Sequence, residues 1–324
     1  MKPRLLITGG AGYIGSVLTA YFIDNGYEVV IFDDLTTGSA IVSRASFVNG
    51  SILDKPKLLN ALSKVDVVIH CAAKSLVEES VLNPEQYSQV NTVGTHLLLE
   101  AMIESGVNKI IFSSTAAVYG DSSVQPIVEN TDINPVNPYG LSKFAAEQVI
   151  SEFANKGIAA ITFRYFNIAG SYKNSIDQLL IENHQDETHL IPKIIKNTMQ
   201  NRLDSKVEIY GSNFLTKDGS CIRDYLHVQD LAHAHLLAID KLEKGLSKVF
   251  NLGSGVGYSV IEVISEIEKV MGAKLNKVLS PARAGDPAVL LAAIDKAKNE
   301  LGWKPKASLT EIITSSWQGM KQVG

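Results

Sequence analysis

Cysteine is almost missing from this 324-residue chain: Cys71 and Cys221 are the only two. They lie far apart, with no Cys-x-x-Cys, which excludes a disulfide framework and a cysteine zinc site. Basic excess is also lacking. Thirty Lys and Arg face 34 Asp and Glu, for a formal net charge of -4 and a pI near 6.0. No nucleic-acid partner is therefore expected. No apolar run approaches the ~20 residues that would cross a bilayer, so no membrane partner is expected either. The segment ahead of the first strand, Met1-Lys2-Pro3-Arg4, is too short for a signal peptide. A soluble, cytoplasmic protein of about two domains is the expectation. Internal repeats, low-complexity tracts and a linker between domains are absent as well.

The first half alternates short β-branched runs with helical patterns. Residues 4–8, 28–32, 65–70, 109–113 and 160–165 read as buried strands. Residues 14–25, 56–63, 84–105 and 139–155 read as helices. Near-continuous apolar strands separated by helices predict an α/β fold with a doubly wound, Rossmann-like parallel sheet. After Gly170 the pattern loosens. Residues 171–188 read as a loop, followed by helices over 191–201, 228–241, 260–271, 295–301 and 309–321. Strands are expected at 207–210 and 249–252. The expected division is a cofactor-binding domain, 1–170, and a smaller α+β substrate-binding region, 171–324. Part of the latter, about 222–252, is expected to return to the first sheet.

Gly10-x-Gly12-x-x-Gly15 follows the apolar run Leu5-Leu6-Ile7, and Gly9 offers an alternative frame. Glycines there permit a tight turn and close approach of backbone to a pyrophosphate, whose charge the next helix's free N–H groups attract. Asp33 ends the second strand at the distance expected of an acid that accepts from ribose hydroxyls. With Asp34 beside it, a 2′-phosphate would be repelled, which favours NAD over NADP. Downstream, Ser113-Ser114-Thr115 closes a strand and Tyr139-Gly140-Leu141-Ser142-Lys143 opens a helix. A tyrosine near its reference pKa of about 10 is a poor base. A lysine one turn away favours the phenolate, and Thr115 or Ser114 can relay the proton of a substrate alcohol. The set suits proton removal from an alcohol while hydride leaves the same carbon. The histidines suggest no metal site. His233 and His235 fall on different helix faces, and His70 reads as a hydrogen-bonded structural residue.

These residues resemble the extended short-chain dehydrogenase/reductase family. So do Arg164-Tyr165-Phe166-Asn167-Ile168-Ala169-Gly170, Ile222-Arg223-Asp224-Tyr225-Leu226-His227-Val228, Asn251-Leu252-Gly253-Ser254-Gly255 and Arg283-Ala284-Gly285-Asp286. The resemblance spans the chain. It implies catalytic roles for Thr115, Tyr139 and Lys143. It implies an NAD site of Gly9, Gly12, Tyr13, Ile14, Gly15, Asp33, Asn91, Ser113, Tyr139, Lys143 and Phe166. For a UDP-hexose it implies Thr115, Asn167, His189, Leu190, Tyr210, Arg223, Arg283, Asp286 and Leu290. The two arginines suit a diphosphate, and Tyr210 could flank a uracil. The implied reaction is oxidation at C4, turning of the 4-keto sugar and return of hydride to the other face, in a homodimer built on helices 84–105 and 139–155.

Some positions depart from the family pattern. Ser51 replaces an Asp that often contacts adenine, and Lys74-Ser75 replaces a Leu-Lys found in some members. His189 stands for Asn in some, and Leu290 for a large Tyr on the pocket wall, which leaves room for an N-acetyl group. Ala116-Ala117 after Thr115 replaces the Asp-Glu with which 4,6-dehydratases eliminate water, so that reaction is excluded. An epimerase acting on UDP-glucuronate and a non-catalytic NAD-sensing regulator are the alternatives. The regulator would be expected to lack Tyr139 or Lys143.

Overall fold

The structure, a computed structural model, describes residues 2–38, 42–182, 184, 187–200, 206–283 and 285–323. The first half alternates strand and helix: β1 (Leu5–Thr8), α1 (Tyr13–Asp24), β2 (Val29–Asp33), β3 (Ser46–Asn49), α2 (Lys55–Ala61), β4 (Val67–His70), α3 (Val77–Leu82), α4 (Pro84–Tyr87), α5 (Gly94–Glu104), β5 (Lys109–Thr115), α6 (Pro138–Ala154) and β6 (Ala159–Tyr165). The second half adds β7 (Asn167–Ala169), β8 (Ser171–Lys173), β9 (Leu179–Ile181), α7 (Leu190–Met199), β10 (Lys206–Tyr210), β11 (Ile222–His227), α8 (Val228–Ile239), β12 (Ser247–Leu252), β13 (Gly257–Ser259), α9 (Val260–Met271), β14 (Asn276–Ser280), β15 (Val289–Leu290) and α10 (Leu309–Val323).

Seven strands form one sheet in the order β12-β6-β5-β4-β1-β2-β3, and every pair in it is parallel. Side chains alternate across a strand, so a strand covered on both faces must be apolar throughout. Leu5, Ile7, Ile69, Ile111 and Ile161 enter one core with residues of α1 and α8. Leu6, Val68, Ile110 and Ala160 enter the other, under α2, α5 and α6. Each fully buried Leu or Ile contributes about 2 kcal/mol by leaving water, which fixes both faces at once. Strand order reverses between β1 and β4, and in such sheets the crevice at the carboxyl ends of the strands there takes the ligand.

The second half is not wholly separate. β12 pairs with β6 in the large sheet, and α8 covers one of its faces. A third core gathers α7, α9 and α10. β11 joins the two regions: Ile222 to Asp224 pair with β13, Ile222 and Arg223 also pair with β15, and Tyr225 to His227 pair with β7.

The structure corrects several readings. Residues 171–188 are not simply a loop, because β8 and β9 form an antiparallel hairpin. Asp24 holds it from α1, accepting from the Tyr172 hydroxyl at 2.8 Å and the Ser175 amide at 3.0 Å. Strands of three residues are too short to show a period. The single helix expected over 84–105 is α4, a π-helical turn (Ser88–Val93) and α5, and the helix expected over 295–301 is a π-helical turn (Ala297–Leu301). β3, β7, β11, β13, β14, β15 and α3 escaped the sequence reading. Met1, Asn183, Gln185, Asp186, Asn201 and Ala284, which fall in those readings, lie outside the described residues. Among the described residues no helix is long and apolar enough to cross a membrane.

Candidate active site

The glycine turn sits at the carboxyl end of β1, beside the reversal of strand order. Gly9 has φ +69°, and a Cβ on it would lie 2.6 Å from the Ala72 amide nitrogen. A Cβ on Gly15 would lie 2.1 Å from the Gly9 carbonyl oxygen. Only glycine fits either place, and the turn is thereby held flat against the sheet. Gly12 caps α1 without a side-chain acceptor, so the first-turn N–H groups, those of Tyr13 and Ile14 among them, face outward for an anion. Asp33 lies over the turn. Its carboxylate accepts from the Ala11 amide at 3.0 Å and the Leu35 amide at 2.8 Å. Asn91 does not reach outward: it clamps Lys74 through N–H and C=O at 2.8 and 3.0 Å and donates to Ser142 at 2.9 Å. Lys74 pairs with Glu79 at 3.0 Å. The Ser51 hydroxyl accepts from the Leu53 amide at 3.3 Å.

The acid–base residues meet at the end of β5. Alternation along that strand turns Ser114 away from Ser113 and Thr115. Ser114 donates to buried Glu147, while the Thr115 hydroxyl, which accepts from the Ala117 amide at 3.1 Å, lies close enough to the Tyr139 phenol to favour its ionised form. Of the two hydroxyls, Thr115 is the one on the Tyr139 side. Asn137 caps α6, accepting from the Gly140 amide at 2.8 Å, which sets Tyr139 in the first turn. Lys143 follows one turn later, 3% exposed, with its ammonium 4.3 Å from the Phe112 ring centre. It makes no hydrogen bond or ion pair among the described residues. Burial pushes it down to about 8, against the pull of Cys71 and Glu147. Burial also raises the Tyr139 phenol, only partly offset by Thr115. Ser113 accepts from the Tyr165 hydroxyl at 2.8 Å and donates to the Cys71 sulfur at 3.2 Å. Phe166 is buried behind Thr115 with Ala116, Val118 and Tyr119.

A buried network supports the strand end. Arg164 donates to Glu147 through Nε at 3.0 Å and Nη2 at 2.6 Å, and through Nη1 to Tyr119 at 2.9 Å. Tyr119 donates to Asn251 at 2.7 Å. Arg164 and Glu147 are 5% and 8% exposed. Arg164 and Asn251 stood out in the sequence, each as part of a motif. The partner of Arg164 follows from the seating of α6 on β6.

A cavity of about 250 Å³ opens in the second half, lined by Asn167, His189, Leu190, Tyr210, Arg223, Arg283 and Asp286 among others. Seven residues expected at a UDP-sugar site thus meet around one space. Thr115 and Leu290 are not among its lining. Leu290 is partly buried beside the Phe166 cluster and pairs in register with Arg223. Arg223 is pre-oriented, donating to the carbonyls of Ile222 and Pro287 at 2.9 and 2.8 Å, with Asp286 3.5 Å away. The Arg283 guanidinium covers the Tyr210 ring at 4.0 Å, which leaves one ring face for a base. α7 points its N-terminus into the cavity with no side-chain cap. Lys193 and Lys206 also line it. A helix start behind a polar loop was the only signal for Lys193. Another cavity, about 210 Å³, lies at the amino ends of β4 and β5, the side of a parallel sheet where ligands do not bind.

The histidines divide into two kinds. His70 is bonded to Thr8 at 2.7 Å and Thr95 at 2.9 Å and is pushed down by burial to about 3. His235 is bonded to Tyr165 and to the Leu231 carbonyl at 2.8 and 2.9 Å. Both are structural. His184 and His189 instead converge on Glu182, a grouping that a reading confined to His70, His233 and His235 missed. Burial works against the charge on His189, but Glu182 and Glu187 outweigh it and hold the imidazole up to about 10. Tyr13, whose hydroxyl donates to the Gly170 carbonyl at 2.7 Å, feels the same two carboxylates and is raised by burial first and by them second.

A parallel sheet whose strand reversal carries a glycine turn, with a tyrosine–lysine helix facing a threonine, defines a dinucleotide-dependent enzyme of alcohol chemistry. Residues 5–253 match the NAD dependent epimerase/dehydratase family, and the chain belongs to that family. A UDP-glucose 4-epimerase of Halalkalibacterium halodurans is 43% identical, covering 98% of this chain and 96% of its own length. One of Corynebacterium glutamicum is 41% identical, covering 99% and 97%. The crystal structure of a UDP-glucose-4-epimerase from Stenotrophomonas maltophila, with bound NAD and formylated UDP-arabinopyranose, superposes with a TM-score of 0.92 at 34% identity over 99% of each chain.

Proposed function

We propose that this protein interconverts UDP-glucose and UDP-galactose at C4 with NAD as its resident cofactor. The observation that carries the reading is Tyr139 set beside Thr115, with a buried Lys143 one helical turn on that has no hydrogen bond or ion pair among the described residues, in a chain that also encloses an arginine-bearing cavity. The cradle fits NAD: a Cβ at Gly9 or Gly15 would fill it, and Asp33 lies at its ribose end. Bound there, NAD supplies the acceptor, and on the return step the donor, of the C4 hydride. Tyr13 and Ile14 N–H groups hold the pyrophosphate, Lys143 the nicotinamide ribose, and Phe166 borders the ring. Asn91, fully committed to Lys74 and Ser142, positions the wall of that site. Tyr139 would take the proton of the 4-hydroxyl through Thr115 and return it to the C4 oxygen when the hydride comes back to the opposite face of the turned 4-keto sugar.

Arg223 and Arg283 hold the diphosphate while the sugar turns, with His189, the start of α7 at Leu190, and Asn167. Tyr210 offers its free face to the uracil, and Asp286 keeps Arg223 in place. Residues 1–170 hold the cofactor and 171–324 the UDP-sugar, with β12 returning to the first sheet. Slower turnover of UDP-N-acetylhexosamines follows from a leucine at position 290. Lys193 and Lys206 keep UDP-glucuronate as the second substrate to assay. A cytoplasmic homodimer through α4, α5 and α6 is part of the same reading. Ile103 on α5 and Leu141 on α6, at 46% and 59% exposure, are apolar side chains it would cover. The test is conversion of UDP-galactose to UDP-glucose by purified protein. Tyr139→Phe should reduce turnover on the order of 10²–10⁴-fold and leave UDP and NAD binding intact. Near wild-type turnover in that variant would remove Tyr139 as the base.

A further inference from the structure

Glu182, His184 and His189 gather between the cofactor turn and the cavity in a way the proposed reaction does not require. Glu182 ends the β8–β9 hairpin and is 6% exposed. Its Oε1 lies 2.8 Å from Nδ1 of His189 and 3.6 Å from Nε2 of His184. The ligating atoms of the three residues all fall within 4.8 Å of one another. Its Oε2 is buried and has no hydrogen-bond partner among the described residues. A buried carboxylate oxygen without a partner is costly and rare. Both imidazoles crowd one oxygen while the other is left over.

Glu187 fixes the loop that brings them together. Its Oε1 accepts from the His189 amide at 3.0 Å, and its Oε2 from the His184 amide at 3.3 Å. Lys196 anchors the His184 carbonyl from α7 at 2.5 Å. The two histidines are therefore held by their backbones; the His184 ring meets Glu182, and Nδ1 of His189 is shared between Glu182 and Oε1 of Glu187, 3.3 Å away.

We propose that Glu182, His184 and His189 form a binding site for a divalent transition metal of the zinc class. Two imidazoles and one carboxylate are the donor set of an open zinc site, which keeps one position for water or ligand. Tetrahedral bonds of about 2 Å place ligand atoms about 3.3 Å apart, and the 2.8 and 3.6 Å separations bracket that value. The unpartnered Oε2 becomes a second available donor. His189 also lines the cavity, so the open position faces the space where a diphosphate oxygen could complete the shell. The metal is bound by this chain's own residues, and the proposal stands whether or not the epimerase reading does.

The experiment uses tag-free full-length protein treated with a chelator and then titrated with Zn²⁺ by calorimetry and with Co²⁺ by visible absorption. One equivalent of Zn²⁺ should bind, and Co²⁺ should show the visible bands of a low-coordinate nitrogen–oxygen site. His184→Ala, at a partly exposed position, should weaken Zn²⁺ at least about tenfold. Glu182→Gln should do the same if it folds, as judged by its melting curve. His96→Ala, which removes a surface histidine on α5, should leave affinity unchanged. Absence of stoichiometric Zn²⁺, equal affinity in His184→Ala, or the intense near-ultraviolet band of a Co²⁺–thiolate bond would each overturn the assignment. The cluster would then be an ion-pair group alone.

Discussion

Replacing Lys143 with methionine should stabilise the cofactor-free protein while abolishing its turnover. The lysine is buried, with its ammonium 4.3 Å from the Phe112 ring centre and no hydrogen bond or ion pair among the described residues. Burial lowers it from 10.5 to about 8. Every tenfold loss of proton affinity is worth about 1.4 kcal/mol, so holding the charge in the fold costs about 3 kcal/mol wherever both states are protonated. The sign follows from proton counts. Between about pH 8 and 10.5 the unfolded chain binds more protons at this site than the folded one, so stability contributed here rises with pH. Methionine has a similar length, fits against an aromatic ring and carries no charge. Urea unfolding of wild type and Lys143→Met, both stripped of NAD, should give a difference of about 3 kcal/mol near pH 7. The difference should shrink to about 1–2 kcal/mol near pH 9.5. Other alkaline titrations are common to both proteins and cancel. A variant less stable than wild type, or a difference that does not change with pH, would refute the argument. Either result would mean that Lys143 is hydrated or paired in solution.

Glu147→Ala should destabilise the fold by about 3–5 kcal/mol, because it strands the buried Arg164 guanidinium; chemical denaturation reads it directly, and a loss under about 1 kcal/mol would mean that water reaches Arg164. NADP⁺ should bind at least about tenfold more weakly than NAD⁺, a difference of about 1.4 kcal/mol, because a 2′-phosphate would meet Asp33 and Asp34; equal affinities by calorimetry would show that Asp33 only braces the turn. Leu290→Tyr should lower the ratio of UDP-N-acetylhexosamine to UDP-hexose turnover, with an effect of about 1–3 kcal/mol typical of steric discrimination. If the ratio stays constant, Leu290 serves only the cluster around Phe166.

Much of the first half was legible because its signals are local. A strand buried on both faces must be apolar at every position, so β1, β2, β4, β5 and β6 announced themselves within a residue or two. The glycine turn was legible because only glycine tolerates the backbone of Gly9 and the contact at Gly15. Tyr139 and Lys143 lie one helical turn apart, so their nearness needed no tertiary information. Seven of the residues expected around a UDP-sugar were found lining one cavity, although their separation along the chain hid its shape.

What the sequence settled by itself was the parallel sheet, the glycine turn and the nearness of Tyr139 to Lys143, since each depends on residues within a few positions of one another. The tertiary structure decided the rest. Only the seating of α6 on β6 pairs Glu147 with Arg164 and sends Ser114 to that pair, leaving Thr115 to face Tyr139. Only the two-sided pairing of β11 sets Leu290 beside Arg223 but outside the cavity lining. Only the β8–β9 hairpin brings Glu182 to His184 and His189, from a segment with no periodicity to betray it. Such contacts join residues through strand pairs and loop closures, whose energies depend on burial and partner geometry that no local spacing encodes.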